Sequence, residues 1–529
     1  PRAFNNNAGF DLIIGNPPYI RQEQINHLIK DFDYKKLLSK LYNPFKSTYD
    51  LSIFFILRSL QLTKIGGLHS FIITNKWLRA NYGIPIRNLI KEKTKILKII
   101  DFSGLAIFKG INIDTMIYII QNIEPKQENK FFYNHPNDLR LIKDDGRSIK
   151  QKNLSDSIWR FSDKLTHEIQ AYLNEHAEKL KNLDVNIYFG IKTGLNKAFI
   201  INDNEKRRIV RNNPKASNFF KPLLRGRDIH RYNYVWKKIW ILVIPAGWTK
   251  EFYNSSKFDD NQIENKFKDD FPYIYSYLLK QGKKIKGKRK GLFYRDDQGD
   301  FWWELRPCDY YSELEKIKLV WNRITSKVDF QLIPKGVYIL DSMFFIVGKN
   351  LKFLNLLLES SLNSFFIRNY CALLGNGFYA ASQYIEKLPI ILPENPRPFK
   401  ILAEYLLFLN SDPIIQKDYA EQISFLDRKI ANSIIYELYF NHKLKSDGIK
   451  SDLIALISNN LEIINFKFFE LNIKDKMGLN YNVNDYKQIK SDNLSIINSV
   501  FKSLINDKKI INQIQEIRSH PWIKKVESF

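Results

Sequence analysis

Cysteine is nearly absent. Cys308 and Cys371 are the only two in 529 residues, they lie far apart, and neither belongs to a CxxC pair or a histidine cluster. That scarcity excludes a disulfide framework and a cysteine-held zinc site, and it fits reducing surroundings. Long apolar runs are missing too. Hydrophobic residues make up 44% of the chain, yet no run approaches the roughly 18 residues a membrane helix needs. Residues 1–20 lack the basic, apolar, small-residue order of a secretory signal. The expected location is the cytoplasm, with no membrane partner.

Acidic residues are the minority, 56 Asp and Glu against 82 Lys and Arg, for a formal net charge of +26. A balance of that sign suits a polyanion. An AT-rich coding sequence would also enrich Lys, Ile and Asn, so clustering matters more than the sum. Lys283, Lys284, Lys286, Lys288, Arg289 and Lys290 fall in one short run. At 529 residues the chain exceeds what one hydrophobic core accommodates, and several domains are expected.

The first 125 residues alternate strand and helix patterns. FDLIIG (10–15) reads as a short buried strand, YDLSIFFILRSLQLT (49–63) as a helix and LHSFIIT (68–74) as a strand. IPIRNLIKEK (84–93) is a helix, and ILKIIDF (96–102) and DTMIYIIQ (114–121) are strands. This is an α/β pattern with a largely buried sheet. Residues 126–185 are polar and mixed, a connector with one helix near 165–183. Residues 186–395 carry short strands and aromatic loops, a β-rich α+β domain with a long helix at 351–371. Residues 396–529 are mostly amphipathic helix, including FLDRKIANSIIYELYF (425–440).

Asn16-Pro17-Pro18-Tyr19 follows the first strand directly. As a bare tetrapeptide it is an ordinary turn, since Asn and Pro are common turn residues. At the carboxyl end of a strand in an open α/β sheet, where ligands bind, it has a chemical use. An exocyclic amine on a nucleobase is a poor nucleophile because its lone pair is delocalised into the ring. The Asn16 side-chain carbonyl and the Pro17 backbone carbonyl can each accept one N–H, and the proline rings stiffen the turn that aims them. Tyr19 offers a ring face for a flipped base.

FDLIIGNPPYIRQE resembles motif IV of the amino-group DNA methyltransferases, specifically the gamma-class adenine-N6 enzymes of bacterial restriction–modification systems. YDLSIFFILRSLQLTKIGGLHSFIITNKWL resembles the next helix and strand of that family, and SGLAIFKGINIDTMIYII the later segment whose aromatic residue stacks on the extruded adenine. The resemblance implies a partial Rossmann-like methyltransferase domain over residues 1–125. It further implies Asn16, Pro17, Pro18 and Tyr19 as catalytic residues, Tyr19 and Phe108 as stacking rings, S-adenosylmethionine as methyl donor and no metal. Asp50 reads as no more than a helix cap. GIKTGLNKAFII (190–201), FKPLLRGRDIHRY (220–232), FWWELRP (301–307) and the NSFFIRNY to LPIILP stretch resemble the TaqI-type target-recognition domain. Double-stranded DNA is then the partner.

Within that second domain, Lys192, Thr193, Lys197, Arg225, Arg227 and Arg231 combine hydrogen-bond donors with the turn glycines Gly194 and Gly226. Glycine lets backbone amides approach a phosphate, and arginine can pair bidentately with guanine. Lys288 and Arg289 of the basic run are further phosphate candidates. Trp302 and Trp303 read as core residues. The family's glycine-containing loop for the methyl donor precedes the Asn-Pro-Pro-Tyr motif in chain order. Fifteen residues, Pro1 to Gly15, precede Asn16, and they hold no such loop. The residues that bind S-adenosylmethionine are therefore expected upstream of Pro1. The further expectation is a C-terminal portion, or a subunit needing a complementing half, with weak or no methyl transfer alone. A non-catalytic specificity subunit, part of a fused endonuclease–methyltransferase, and methylation of RNA or a protein amide are the competing readings. For a nuclease, Asp260, Glu264 and Lys266 come nearest to a metal-binding set, but their stretch is polar and lacks a buried strand.

Overall fold

A computed structural model describes residues 9–20, 22–27, 33–42, 49–78, 80–102, 105, 107–108, 114–136, 146–155, 159, 161, 164–282, 291–295, 297–374, 377–462, 464 and 483–528. They form two compact units. The first comprises residues 1–164 and 372–379, the second 165–371 and 380–529.

The first unit is built on a six-stranded mixed sheet. Its strands are β1 (Phe10–Gly15), β2 (Thr63–Thr74), β3 (Lys95–Asp101), β4 (Thr115–Gln121), β5 (Lys130–Asn134) and β6 (Arg147–Lys150), with spatial order β1-β2-β4-β3-β5-β6. β1 runs parallel to β2, and β3 parallel to β5, while β4 is antiparallel to both β2 and β3. The carboxyl ends of β1, β2, β3 and β5 therefore share one edge of the sheet. Helices α1 (Tyr34–Leu41), α2 (Leu51–Leu62) and α3 (Ile84–Lys93) complete the unit.

Alternation fixes the buried face: His69, Phe71 and Ile73 of β2 lie beside Ile120, Tyr118 and Met116 of β4, and all are at most 5% exposed. Ile53, Phe54, Ile56 and Leu57 of α2 join the same core. Two readings of the sequence are corrected here. FDLIIG is not a buried strand: Leu12 is 55% and Ile14 75% exposed, because β1 lies at the sheet edge, paired on one side among the described residues. The polar stretch read as a connector supplies β5 and β6 to the sheet, and its helix ends at His176.

The second unit holds two four-stranded sheets. One orders Phe330–Ile333, Lys318–Asn322, Met343–Gly348 and Val185–Phe189, all antiparallel; the other orders Tyr338–Ile339, Phe220–Leu224, Ile239–Leu242 and Ile200–Asn202. Trp303 is fully buried between Phe301 and Phe267 at 4.6 and 4.8 Å, and its Nε1 donates to Thr249 Oγ1 at 3.0 Å. Trp302 is half-buried and donates to Glu264 Oε1.

The helix expected over 351–371 is interrupted. Leu351–Leu358 and Ser361–Tyr370 are separate helices, because Glu359 turns inward, accepting from Phe330 N, and Ser360 takes the extended backbone of a helix start. The stretch 425–440 is also irregular, with a π-helical turn over Leu426–Ala431 before Asn432–Ser446. No helix among the described residues is long and apolar enough to cross a membrane.

Candidate functional site

Gly15 ends β1 where a side chain would crowd its neighbour, since a Cβ there would stand 3.2 Å from Phe71 Cε1. The chain then leaves the sheet edge as Asn16-Pro17-Pro18-Tyr19. Pro17 is buried and anchors the turn, whereas the Asn16 side chain is exposed and has no hydrogen-bond partner among the described residues. Tyr19 is tethered: its hydroxyl donates to Ile72 O of β2 at 3.1 Å, and its ring packs on the core of the unit. Burial raises that hydroxyl above its ordinary value of 10, so it stays a neutral donor. Directly beyond, Leu51 N donates to Ile20 O at 3.0 Å, fixing the exit of the turn to the start of α2.

Phe108 is half-buried, with its ring centroid 6.0 Å from that of Tyr19 and the planes tilted by 59°. Sequence separation gave no hint of that distance, but the structure brings the two proposed stacking rings together. As found they are in van der Waals contact, so a base passing between them would part them. Asp50 accepts from Tyr82 OH at 3.3 Å and makes no side-chain cap bond. The described residues begin at Gly9.

A pair that sequence reasoning did not single out lies at the same edge. Asn75 follows β2 and Asp101 closes β3; Asn75 Nδ2 donates to Asp101 Oδ1 at 2.9 Å, and both residues are buried. His135 Nδ1 lies 2.8 Å from Asp101 O, so the ends of β2, β3 and β5 are joined beside the Asn16 turn. The available signal was a lone Asn and a lone Asp directly after apolar strand runs. Asp101→Ala would leave the Asn75 amide buried without this acceptor. We expect a loss of about 1–3 kcal/mol, seen as a lower denaturant midpoint, with Asp101→Asn milder.

In the second unit the predicted DNA-facing residues divide sharply. Lys192 is ion-paired to Asp297 at 3.0 Å. Thr193 is buried, donating to Asn196 Oδ1 at 2.6 Å and accepting Arg295 Nη1 at 2.8 Å on its carbonyl. Gly194 has φ +70°, and a Cβ there would meet Asp297 Oδ1 at 2.4 Å. The glycine therefore makes room for a carboxylate of the chain. Lys197 is exposed and has no ion-pair partner among the described residues.

Arg225 closes its own turn, with Nε and Nη2 on the two oxygens of buried Asp228 at 2.9 and 3.2 Å. Arg227, two residues on, is exposed and carries no ion pair among the described residues.

Arg231 is a correction to the DNA-facing set. Its Nε and Nη2 grip Asp427 at 3.0 and 2.6 Å, and its Nη1 lies 3.2 Å from Glu359. The guanidinium is thus held by two acidic side chains inside the fold. Lys288 and Arg289 lie outside the described residues. Asp260, Glu264 and Lys266 sit on one helix, where Glu264 Oε1 accepts from Tyr275 OH at 2.7 Å and from Trp302. Among the described residues no group of three or more His, Cys, Asp or Glu could hold a metal.

Comparison with known proteins finds a restriction-modification methylase domain and a TaqI-like specificity domain. Residues 1–108 match the profile of the Eco57I restriction-modification methylase, and residues 221–390 that of the TaqI-like C-terminal specificity domain. The chain is similar to the type II restriction enzyme and methyltransferase RM.Eco57I of Escherichia coli, 26% identical over 37% of this chain and 20% of that protein. To the type II methyltransferase M.XhoI of Xanthomonas vasicola it is 33% identical over 22% of this chain and 21% of that one. To M.BstVI of Geobacillus stearothermophilus, another type II methyltransferase, it is 23% identical over 84% of this chain and 76% of that one. The chain thus spans about a fifth of the first two relatives and three quarters of the third. Among solved structures it resembles the type IIL restriction-modification enzyme MmeI in complex with DNA, with TM-score 0.52 and 14% identity over 88% of this chain and 57% of that one. At that identity the likeness is one of fold. The chain carries an Eco57I-type restriction-modification methylase domain and a TaqI-like specificity domain, in a mixed α/β architecture.

Proposed function

We propose that the chain serves a site-specific DNA methyltransferase of a restriction–modification system, which transfers a methyl group to N6 of an adenine flipped out of the duplex. The observation that carries this reading is the Asn16 amide, unpartnered among the described residues and followed by buried Pro17 and tethered Tyr19 at the carboxyl end of β1. Asn16 Oδ1 and the Pro17 carbonyl accept the two N–H bonds of the adenine amine. That turns its lone pair toward the incoming carbon and favours the pyramidal nitrogen of the transition state. Tyr19 and Phe108 give the flipped base its stacking surface.

S-adenosylmethionine, when bound, would supply the electrophilic methyl group. Among the described residues no glycine-containing strand-to-helix loop suits it, for Gly66 and Gly67 fall inside β2. We therefore assign the donor's cradle to residues other than those described, and derive no step through the donor. The partner is duplex DNA, contacted by Arg227, Lys197 and the basic run that includes Lys288 and Arg289, with Arg225 and Lys192 shaping the turns beside them.

The same lack of a donor loop favours a second reading, a specificity subunit that binds DNA without catalysis. Methylome sequencing of a host expressing the full-length protein separates the two. N6-methyladenine in one sequence context is expected. Methylated cytosine alone would overturn the adenine reading, and an unmodified genome from a host that makes the folded protein would favour the subunit.

A further inference from the structure

The cleft beside the Gly226–Asp228 turn is built unlike a phosphate-binding surface. It has a volume of about 540 Å³, and its lining includes Gly226, Arg227, Asn322, Arg323, Asp341 and Ser342. Its frame is fixed. Arg225 N and Nε both reach Asp228 Oδ2 at 2.9 Å, which locks the turn. Asn322 Nδ2 donates to Gly226 O at 3.0 Å, and a Cβ at Gly226 would stand 2.1 Å from Asn322 Oδ1, so only glycine allows this approach. Across the cleft, Asp341 N donates to Ile191 O at 3.2 Å and Arg323 N to Ser342 O at 3.0 Å.

Three charged side chains line this frame, the arginines Arg227 and Arg323 and the carboxylate of Asp341. Arg227 is exposed, and neither it nor the half-buried Asp341 carboxylate has an ion-pair partner among the described residues. A surface that only neutralises phosphates gains nothing from a carboxylate, whose charge repels the DNA backbone. At a base edge the same carboxylate can accept from an exocyclic amine, and in the major groove cytosine N4 is such a donor. A guanidinium pairs bidentately with guanine O6 and N7. Adenine N6 would also satisfy Asp341, but an A·T pair offers Arg227 no O6 and N7 acceptor couple.

We infer that this cleft reads one G·C base pair, with Arg227 on the guanine and Asp341 on the cytosine amine of that pair, which makes Asp341 a specificity-determining residue. The inference rests on reading the chain as a sequence-specific binder of duplex DNA.

The test uses the whole chain with a randomised duplex library at fixed salt. The bound fraction is sequenced, and affinities are measured for the selected duplex and each single base-pair change. The wild-type chain is expected to enrich a motif containing a G·C position at which Arg227→Ala and Asp341→Ala each lose roughly 10- to 100-fold of discrimination. Their effects on non-specific duplex have opposite signs: Arg227→Ala binds it more weakly, and Asp341→Ala more tightly, because a negative charge facing the phosphates is gone. Asp341→Asn keeps the side-chain shape and should relax the same position, and unchanged thermal midpoints exclude misfolding.

A wild-type motif that all variants select unchanged, or an affected position that is A·T, overturns the inference and leaves sequence-specific binding standing. A folded wild-type chain that enriches no motif overturns sequence-specific binding and the inference with it.

Discussion

If the proposed function holds, Asn16→Ala in the full-length protein is expected to lower adenine methylation by on the order of 10²-fold or more, the scale at which single preorganised hydrogen-bonding groups act. Duplex binding should be unchanged. The side chain is exposed and bonded to nothing among the described residues, so its removal leaves no buried group unsatisfied. Pro17 and the Tyr19 tether to Ile72 still hold the turn. The substitution removes the proposed acceptor for one amine hydrogen and no contact that Asn16 makes among the described residues. Measured side by side, methyl incorporation and gel-shift affinity should separate completely. Methylation at the wild-type rate would end the proposed role of Asn16, and a parallel loss of duplex binding would mean that the turn belongs to DNA docking and not to the chemistry.

The second large effect concerns stability. Arg231→Ala is expected to cost about 3 kcal/mol, because it strands a carboxylate that was buried as part of an ion pair. Asp427 loses both its bidentate contacts and, among the described residues, keeps only Tyr232 OH, at 3.3 Å. Glu359 is 2% exposed, and burial pushes its carboxyl up from 4.5 to about 8 while the neighbouring guanidinium pulls it down.

The sign of the pH effect follows from that shift. Between about 4.5 and 8 the folded chain binds the Glu359 proton and the unfolded chain does not, so stability contributed by this group declines as pH rises through that window. Glu359→Gln should remove that component of the slope and leave a flatter profile. Thermal midpoints of wild type, Arg231→Ala and Glu359→Gln across the window provide the check. An Arg231→Ala chain as stable as the wild type would show that the carboxylates find other partners.

These two residues also mark what a sequence reveals and what it conceals. The turn at Asn16 was legible because its signals are local: an apolar run, a glycine, then an amide and two prolines. Helix α3 was legible for a similar reason, a periodic pattern whose bounds, Ile84–Lys93, are those the sequence suggested. The exposure of Leu12 and Ile14 was not, because burial of an apolar strand depends on which neighbours flank it. Arg227 and Arg231 look alike in RGRDIHR. What separates them is that Glu359 and Asp427 arrive from distant segments to claim one and not the other. Asp341 was concealed for the opposite reason, since in a basic chain a single acid between apolar strands carries no local sign of facing a cleft. That Tyr19 and Phe108 serve the same base was implied by the family resemblance, and their 6.0 Å separation could not be inferred from spacing.

The grip on Arg231 joins three stretches of chain that are remote in sequence: a hairpin end near residue 231, the break between two helices at Glu359, and the π-helical turn containing Asp427. Both carboxylates sit where a helix departs from regular geometry, so the irregularities form the socket of the clamp. Cutting the chain after residue 395 would therefore remove half of that socket along with the C-terminal helices. The specificity segment and the helices after it should melt in a single transition, and a protease should find no stable fragment that ends between them.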